Sequence, residues 1–233
     1  MTTLADILNA VCDETGIGRP TQYFGSTDPT ARQLVALAQT EGQDLARRAR
    51  WENLIRETTH TVLATEDQGA IATIAPGFRS FISQTQWNRS RQWPLEGPDT
   101  PQIWQTRKAT VNTSIFNAFR LRGGHLFINS PTAGETVAFE YNSKYFCESA
   151  AGTDQTAWAA DTDVPLLDDF LMKLGLIWRF KHKKGLDYGE DFRLYEERVA
   201  EAVAQDGGAT VLNMADPPAY APMIGVPEGS WDL

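Results

Sequence analysis

Helical periodicity marks both ends of this 233-residue chain and vanishes between them. Near the amino end, Leu4, Ile7, Leu8 and Val11 make one apolar stripe. Thr3 stands at the cap and Asp6 at the third helical position. Gly16, Gly18 and Pro20 end that element. Asp28-Pro29 opens a longer helix with Leu34, Leu37, Ala38, Leu45 and Ala49 on one face, expected to run to about Trp51 or Leu54. Arg47, Arg48 and Arg50 complement its carboxyl end. The period returns near Asp163, with Asp163 as the natural cap, Pro165 early in the helix, and Leu167, Phe170, Leu171, Leu174 and Trp178 as its stripe. Lys181, Lys183 and Lys184 fill its last turn and Gly185 stops it. A second helix carries Tyr188, Phe192, Tyr195, Val199 and Val203 at spacings of four, three, four and four, ending at Gly207-Gly208. Such a hairpin cannot cover its own stripe. Its natural partner is the amino-terminal helical region, which brings both ends of the chain together around whatever lies between.

What lies between reads as strands. Thr58, Thr59, Thr61 and Val62 are β-branched, and Phe81, Ile82 and Trp87 continue the extended character. Phe119 to Ile128 alternates apolar and polar positions about Gly123-Gly124, the signature of a hairpin. Thr136 to Phe146 is rich in Val, Phe and Tyr. The expected class is α+β, divided into amino-terminal helices at 1–56, a β-rich insertion at 57–150, carboxy-terminal helices at 151–208 and an extended arm at 209–233. The arm holds no Lys or Arg, four prolines, and the apolar residues Leu212, Met214, Tyr220, Met223, Ile224, Val226 and Trp231. It is too apolar for a solvated tail and too rich in proline for a helix. An arm that docks on another subunit fits both facts, with a strap on its own domain as the alternative.

Within the insertion, three of seven tryptophans and three of twelve prolines fall between Trp87 and Trp104, beside Arg89 and Arg91. Prolines pin one local shape, and aromatics interleaved with arginine suit either a rigid connector or a platform for single-stranded nucleic acid. The charge of the chain decides between them. Twenty-one basic against thirty acidic residues give a net charge of −9, and phosphate binding draws on clustered Lys and Arg. The connector reading is favoured, its indoles packing between the insertion and the helices and its arginines pairing with acids. An acidic protein still suits a place beside DNA if its task is to let DNA slide past.

Sites for chemistry are weak. Asp161-Thr-Asp163 could hold a divalent cation, although Asp163 before an apolar stripe is more simply a cap. His60, His125 and His182 lie in three different elements without a nucleophile at telling spacing. A peptidoglycan hydrolase would use Glu135 or Glu140, but nothing in the spacing selects a carboxylate pair. Gly16-Ile-Gly18 lacks the third glycine and lysine of a phosphate loop. Arg179 to Lys184 reads as a solvated helix end, or as a surface for an acidic partner. Cys12 and Cys147 read as two buried free thiols rather than a disulfide. No cofactor, no metal and no membrane partner are expected. No apolar run approaches the ~20 residues of a membrane span, and the amino terminus lacks a secretory pattern, which points to the cytoplasm of the producing cell.

A set of spaced motifs resembles the head-to-tail adaptors of short-tailed bacteriophages, akin to tail accessory and tail tubular A proteins. They begin with Gly25-Ser-Thr-Asp28, Ala31-Arg-Gln-Leu34, Glu41-Gly42, Leu45-Ala46 and Trp51. They continue through Trp87 to Pro94, Gly97-Pro98, Pro101, Trp104-Gln105, Phe139-Glu-Tyr141 and Ser143-Lys144. Asp161-Thr-Asp163, Leu176 to Phe180 and Lys184 to Tyr188 complete them. The resemblance implies a helical bundle from both chain ends carrying a β-sandwich-like insertion. It also implies a homo-oligomeric ring, usually twelvefold, at the head–tail junction of the virion, between the portal protein and the tail nozzle or tube. Genomic DNA would pass through without specific binding. In such proteins the carboxy-terminal segment commonly contacts the portal, and residues 209–233 correspond by position alone.

Overall fold

The computed structural model describes residues 2–109 and 117–207. Thr3 closes the first helix as a capping box. Its hydroxyl accepts from the Asp6 N–H at 3.2 Å, and the Asp6 carboxylate accepts from the Thr3 N–H at 2.9 Å. α1 (Leu4–Thr15) buries Leu4, Ile7, Leu8 and Val11 and stops at Gly16, whose φ of 70° suits glycine. α2 (Pro29–Arg48) starts at Asp28, whose carboxylate accepts from the Thr30 N–H at 3.0 Å. It buries Leu34, Leu37, Ala38 and Leu45 but ends before the expected Trp51. Trp51 instead folds back, and its indole N–H donates to the Leu45 carbonyl at 2.7 Å, one of the last four that a helix leaves unpaired. A 3-10 turn, Glu52–Leu54, follows.

The strands then run in order: β1 (Ile55–Thr61), β2 (Asp67–Ala70), β3 (Phe78–Phe81), β4 (Trp87–Asn88), β5 (Trp93–Pro94), β6 (Phe119–Arg122), β7 (His125–Ile128) and β8 (Thr136–Ser143). β8 is the spine of the larger sheet. One edge pairs antiparallel with β1 along its whole length, from Ile55↔Asn142 to Thr61↔Thr136. The other edge is divided between β3, at Tyr141 to Ser143, and β4, at Val137 and Ala138, with β5 beyond β4. A second sheet has the order β2-β7-β6. Gly123 and Gly124, with φ of 57° and 78°, form its two-residue turn, which only residues tolerant of positive φ make cheaply. Phe119, Leu126 and Ile128 from this sheet share one core with Val137, Phe139 and Tyr141 from β8, a sandwich-like arrangement.

Two helices interrupt the strands, α3 (Ile71–Ile74) and α4 (Pro101–Ala109). Neither is expected from periodicity, because α4 buries only Trp104 and so shows no apolar stripe. A small third sheet of β9 (Cys147–Glu148), β10 (Asp154–Gln155) and β11 (Val164–Pro165) leads back to the bundle.

α5 (Asp169–Lys184) starts five residues later than the sequence suggests. Pro165 pairs with Cys147 as a strand residue, and the Leu166 N–H bonds the Phe146 carbonyl, so the backbone there is already committed to the sheet. Asp168, not Asp163, is the cap, accepting from the Phe170 N–H at 2.8 Å. α6 (Gly189–Asp206) completes the hairpin. α5 touches α1, α2 and α6, which makes it the central helix. Its buried residues therefore spread beyond the expected stripe to Met172, Gly175, Leu176, Ile177 and Phe180, while Phe170 is 46% exposed. On α6 only Tyr195 and Val199 of the expected stripe are buried; Tyr188, Phe192 and Val203 stay more than one third exposed. Phe146 and Cys147, from the end of the insertion, and Trp158, just beyond it, belong to the bundle core.

Candidate functional site

The tryptophan-rich segment folds within the insertion. Trp87 and Asn88 pair with β8, and Trp93 and Pro94 pair back on them. Trp104 is buried on α4, Trp93 is half-buried, and Trp87 is 37% exposed. None of the three belongs to the bundle core, which corrects the expectation that they pack between insertion and helices. That work is done by Trp158, whose indole N–H donates to the Ala38 carbonyl at 3.2 Å and whose ring meets Phe146 edge-on at 5.6 Å. The arginines of the segment are neutralised, as expected of a connector. Arg89 pairs with Glu57, and Arg91 pairs with Glu135 and bonds Thr132. A base-stacking platform would need those guanidiniums free for phosphate.

Glu135 is occupied on both oxygens, by Arg91 and by the Asn88 amide at 2.6 Å. Glu140 lies exposed on β8, opposite Glu57 of β1. Five residues of extended chain separate the two glutamates by about 16 Å, beyond the ~5–9.5 Å of a glycosidase pair. The structure does not bring them together.

Asp161 and Asp163 form a staple for the amino-terminal region. The Asp161 carboxylate accepts from the Tyr23 and Phe24 N–H groups, both at 3.0 Å. The Asp163 carboxylate accepts from Ala159 and Ala160. Their carbonyls take the Leu4 and Ala5 N–H groups, which are orphan donors of the first turn of α1. Asp163→Ala is expected to cost about 1–3 kcal/mol by stranding buried donors, read as a shifted urea midpoint. Magnesium or calcium is expected to leave the wild-type midpoint unchanged; a rise would revive the cation reading.

His60 meets Gln68 at 3.3 Å, His125 pairs with Asp67 at 3.0 Å, and His182 packs on Tyr188. Cys12 and Cys147 are free and buried, and burial pushes the Cys147 thiol up to about 12. Arg179 departs from the solvated helix end expected of it. It pairs with Glu41, which is fully buried on α2, and with Asp44 at 2.6 Å; Glu41 also accepts from the Tyr195 hydroxyl at 2.5 Å. Burial holds the Glu41 carboxyl above its ordinary range, against the hydrogen bonds from Tyr195 and Arg179. A Cβ at Gly175 would lie 2.2 Å from that carboxyl group, so α5 needs glycine where the acid crosses it. The network links α2, α5 and α6 and has no local signal in the sequence.

The carboxylates of Glu41, Glu135, Asp161 and Asp163 are thus spent on holding elements together. The chain matches the family described as SU10 adaptor protein over residues 2–218. It belongs to that family. No curated protein matches the chain.

The family is one of phage adaptors, in accord with the spaced motifs, and the adaptor is a structural virion component. Those motifs now have physical roles. Glu41-Gly42 and Leu176 to Phe180 build the bundle centre, and Asp161-Thr-Asp163 is the staple. The partner-binding candidates Leu212, Met214, Tyr220, Met223, Ile224, Val226 and Trp231 lie outside the described residues. The adaptor does present an aromatic face at the closed end of the α5–α6 hairpin. Leu186, Tyr188 and Phe192 are 53%, 37% and 38% exposed, and Trp178 packs against Phe192 at 5.1 Å. Among the described residues no helix is long and apolar enough to cross a membrane.

Proposed function

We propose that the adaptor is the subunit of a neck ring, twelvefold in the reading the motifs support. The ring docks on the portal, extends the DNA channel and gives the tail nozzle or tube its platform. The carrying observation is the family match over residues 2–218. The net charge of −9 suits a wall that repels phosphate and lets the genome slide. In this reading the helices at 1–56 and 151–208 form one packing unit, the insertion at 57–150 a second, and the arm at 209–233 the portal contact. Synthesis takes place in the host cytoplasm.

The aromatic face of the hairpin supports contact between copies, because apolar rings left more than one third exposed lose water on assembly. Phe192→Asp is expected to reduce ring formation at least tenfold while the helical circular dichroism is retained. Deleting residues 209–233 is expected to leave a folded protein that no longer sediments with portal rings. Co-sedimentation of the truncated chain at the level of the full chain would remove the arm from the portal contact.

A further inference from the structure

Most cations of this acidic protein stand beside a carboxylate, but a group of them does not. Arg47, Arg50, Arg79 and Lys144 form no ion pair among the described residues. Arg47 lies in the last turn of α2 with Arg50 just beyond the helix, and the β3–β8 pairing sets Arg79 of β3 beside the chain that leads to Lys144. Two adjoining clefts share Arg47 and Arg79; Lys144 lines one, and Arg50 and Asn142 line the other. Arg79 donates to the Ala46 carbonyl, near the end of α2. Burial, and then the nearby charge of Arg47, lowers its pKa. Arg48, which lines the second cleft, is paired with Glu196, but the other four cations have no such partner among the described residues.

The net charge of −9 disfavours a nucleic-acid strand as the occupant, because phosphate binding draws on a wider basic surface than these four cations make. A peptide brings carboxylates, which match guanidiniums in paired hydrogen bonds.

One acidic peptide starts nearby. The Asp206 carboxylate at the end of α6 accepts from the Glu52 N–H at 2.8 Å, two residues from Arg50. The chain that follows, 208–233, contains Asp216, Glu228 and Asp232 and no Lys or Arg. Even half-extended, the stretch from Gly207 to Asp216 reaches about 15 Å. We propose that segment 208–233 docks in the Arg47–Arg50–Arg79–Lys144 cleft of its own chain, with its carboxylates on the cations. This goes beyond the ring reading: before assembly, the arm sits on its own subunit.

Zero-length carbodiimide cross-linking of the full chain tests it, using an equal mixture of 15N-labelled and unlabelled copies at low salt. The expected result is Lys144 joined to Asp216, Glu228 or Asp232 within single copies. The yield should fall at least fivefold in Arg47→Glu/Arg50→Glu, two exposed positions whose change is checked by an unaltered circular dichroism spectrum. Lys144 joined only to acids within residues 2–207, joined only between copies, or joined equally well in the variant would overturn the proposal. So would an oligonucleotide that suppresses the cross-link more strongly than polyglutamate of equal charge. No portal takes part, so failure here leaves the adaptor reading untouched.

Discussion

Glu41→Ala is expected to lower the unfolding free energy by about 3–5 kcal/mol, the usual cost of removing one partner from a buried ion pair. Arg179, only 14% exposed at its side chain, would keep Asp44 but lose its buried partner, and the Tyr195 hydroxyl would lose its acceptor. Urea unfolding followed by circular dichroism reads the loss. A cost below about 1 kcal/mol would mean that water or Asp44 replaces the carboxylate. Glu41→Gln separates charge from packing through pH. The folded carboxyl has a pKa raised above its ordinary 4.5, so between the two values the folded chain holds a proton that the unfolded chain has released. The Glu41 contribution to stability is therefore fully present below pH 4.5 and falls as pH rises to the folded value. Wild-type stability relative to Glu41→Gln should decline across that window and then level. Asp6 and Asp67, whose values are lowered by hydrogen bonds, act in the opposite sense, losing their contribution as pH falls.

Gly42→Ala is expected to destabilise by about 2 kcal/mol even though alanine in mid-helix is worth ~1 kcal/mol over glycine. A Cβ there would lie 2.4 Å from Cδ2 and Cε2 of Phe146. The ring cannot withdraw cheaply. Trp158 stands behind it, and the Phe146 backbone is bonded to Gln155 and Leu166. Overpacking of a core by one methyl costs ~1–3 kcal/mol, and with both neighbours fixed the upper end applies. A stabilised variant would show that the ring shifts freely. Gly42→Ala combined with Phe146→Leu should recover part of the loss, a coupling that a double-mutant cycle isolates.

Much of the helical frame is legible because its signals are local. Thr3 with Asp6, Asp28 with Pro29, and the stripes on α1 and α2 act within a turn or two of themselves. The Gly123-Gly124 hairpin is equally local. What escapes the sequence is held by distant partners. Asp163 looks like a cap because an apolar stripe follows it, yet its bonds go to Ala159 and Ala160 and its carbonyl to Leu4. Glu41 and Arg179 lie on different helices with the whole insertion between them. α4 escapes for want of a stripe, although Thr100-Pro101 is a helix-start signal, with the Trp104 N–H bonded to the Thr100 carbonyl at 3.0 Å. The basic cleft is assembled from α2, β3 and the end of β8, and no one stretch of sequence displays it.

Because α5 is the helix that α1 and α2 pack on, the amino-terminal helices have no completed core when they leave the ribosome. At ~5–20 residues per second, α5 follows the end of α2 by about 7–27 s. The insertion, whose β1–β8 pairing is complete by Ser143, can close in that interval. During synthesis the apolar faces of α1 and α2 therefore wait for α5, and the middle of the chain has the means to close before its ends.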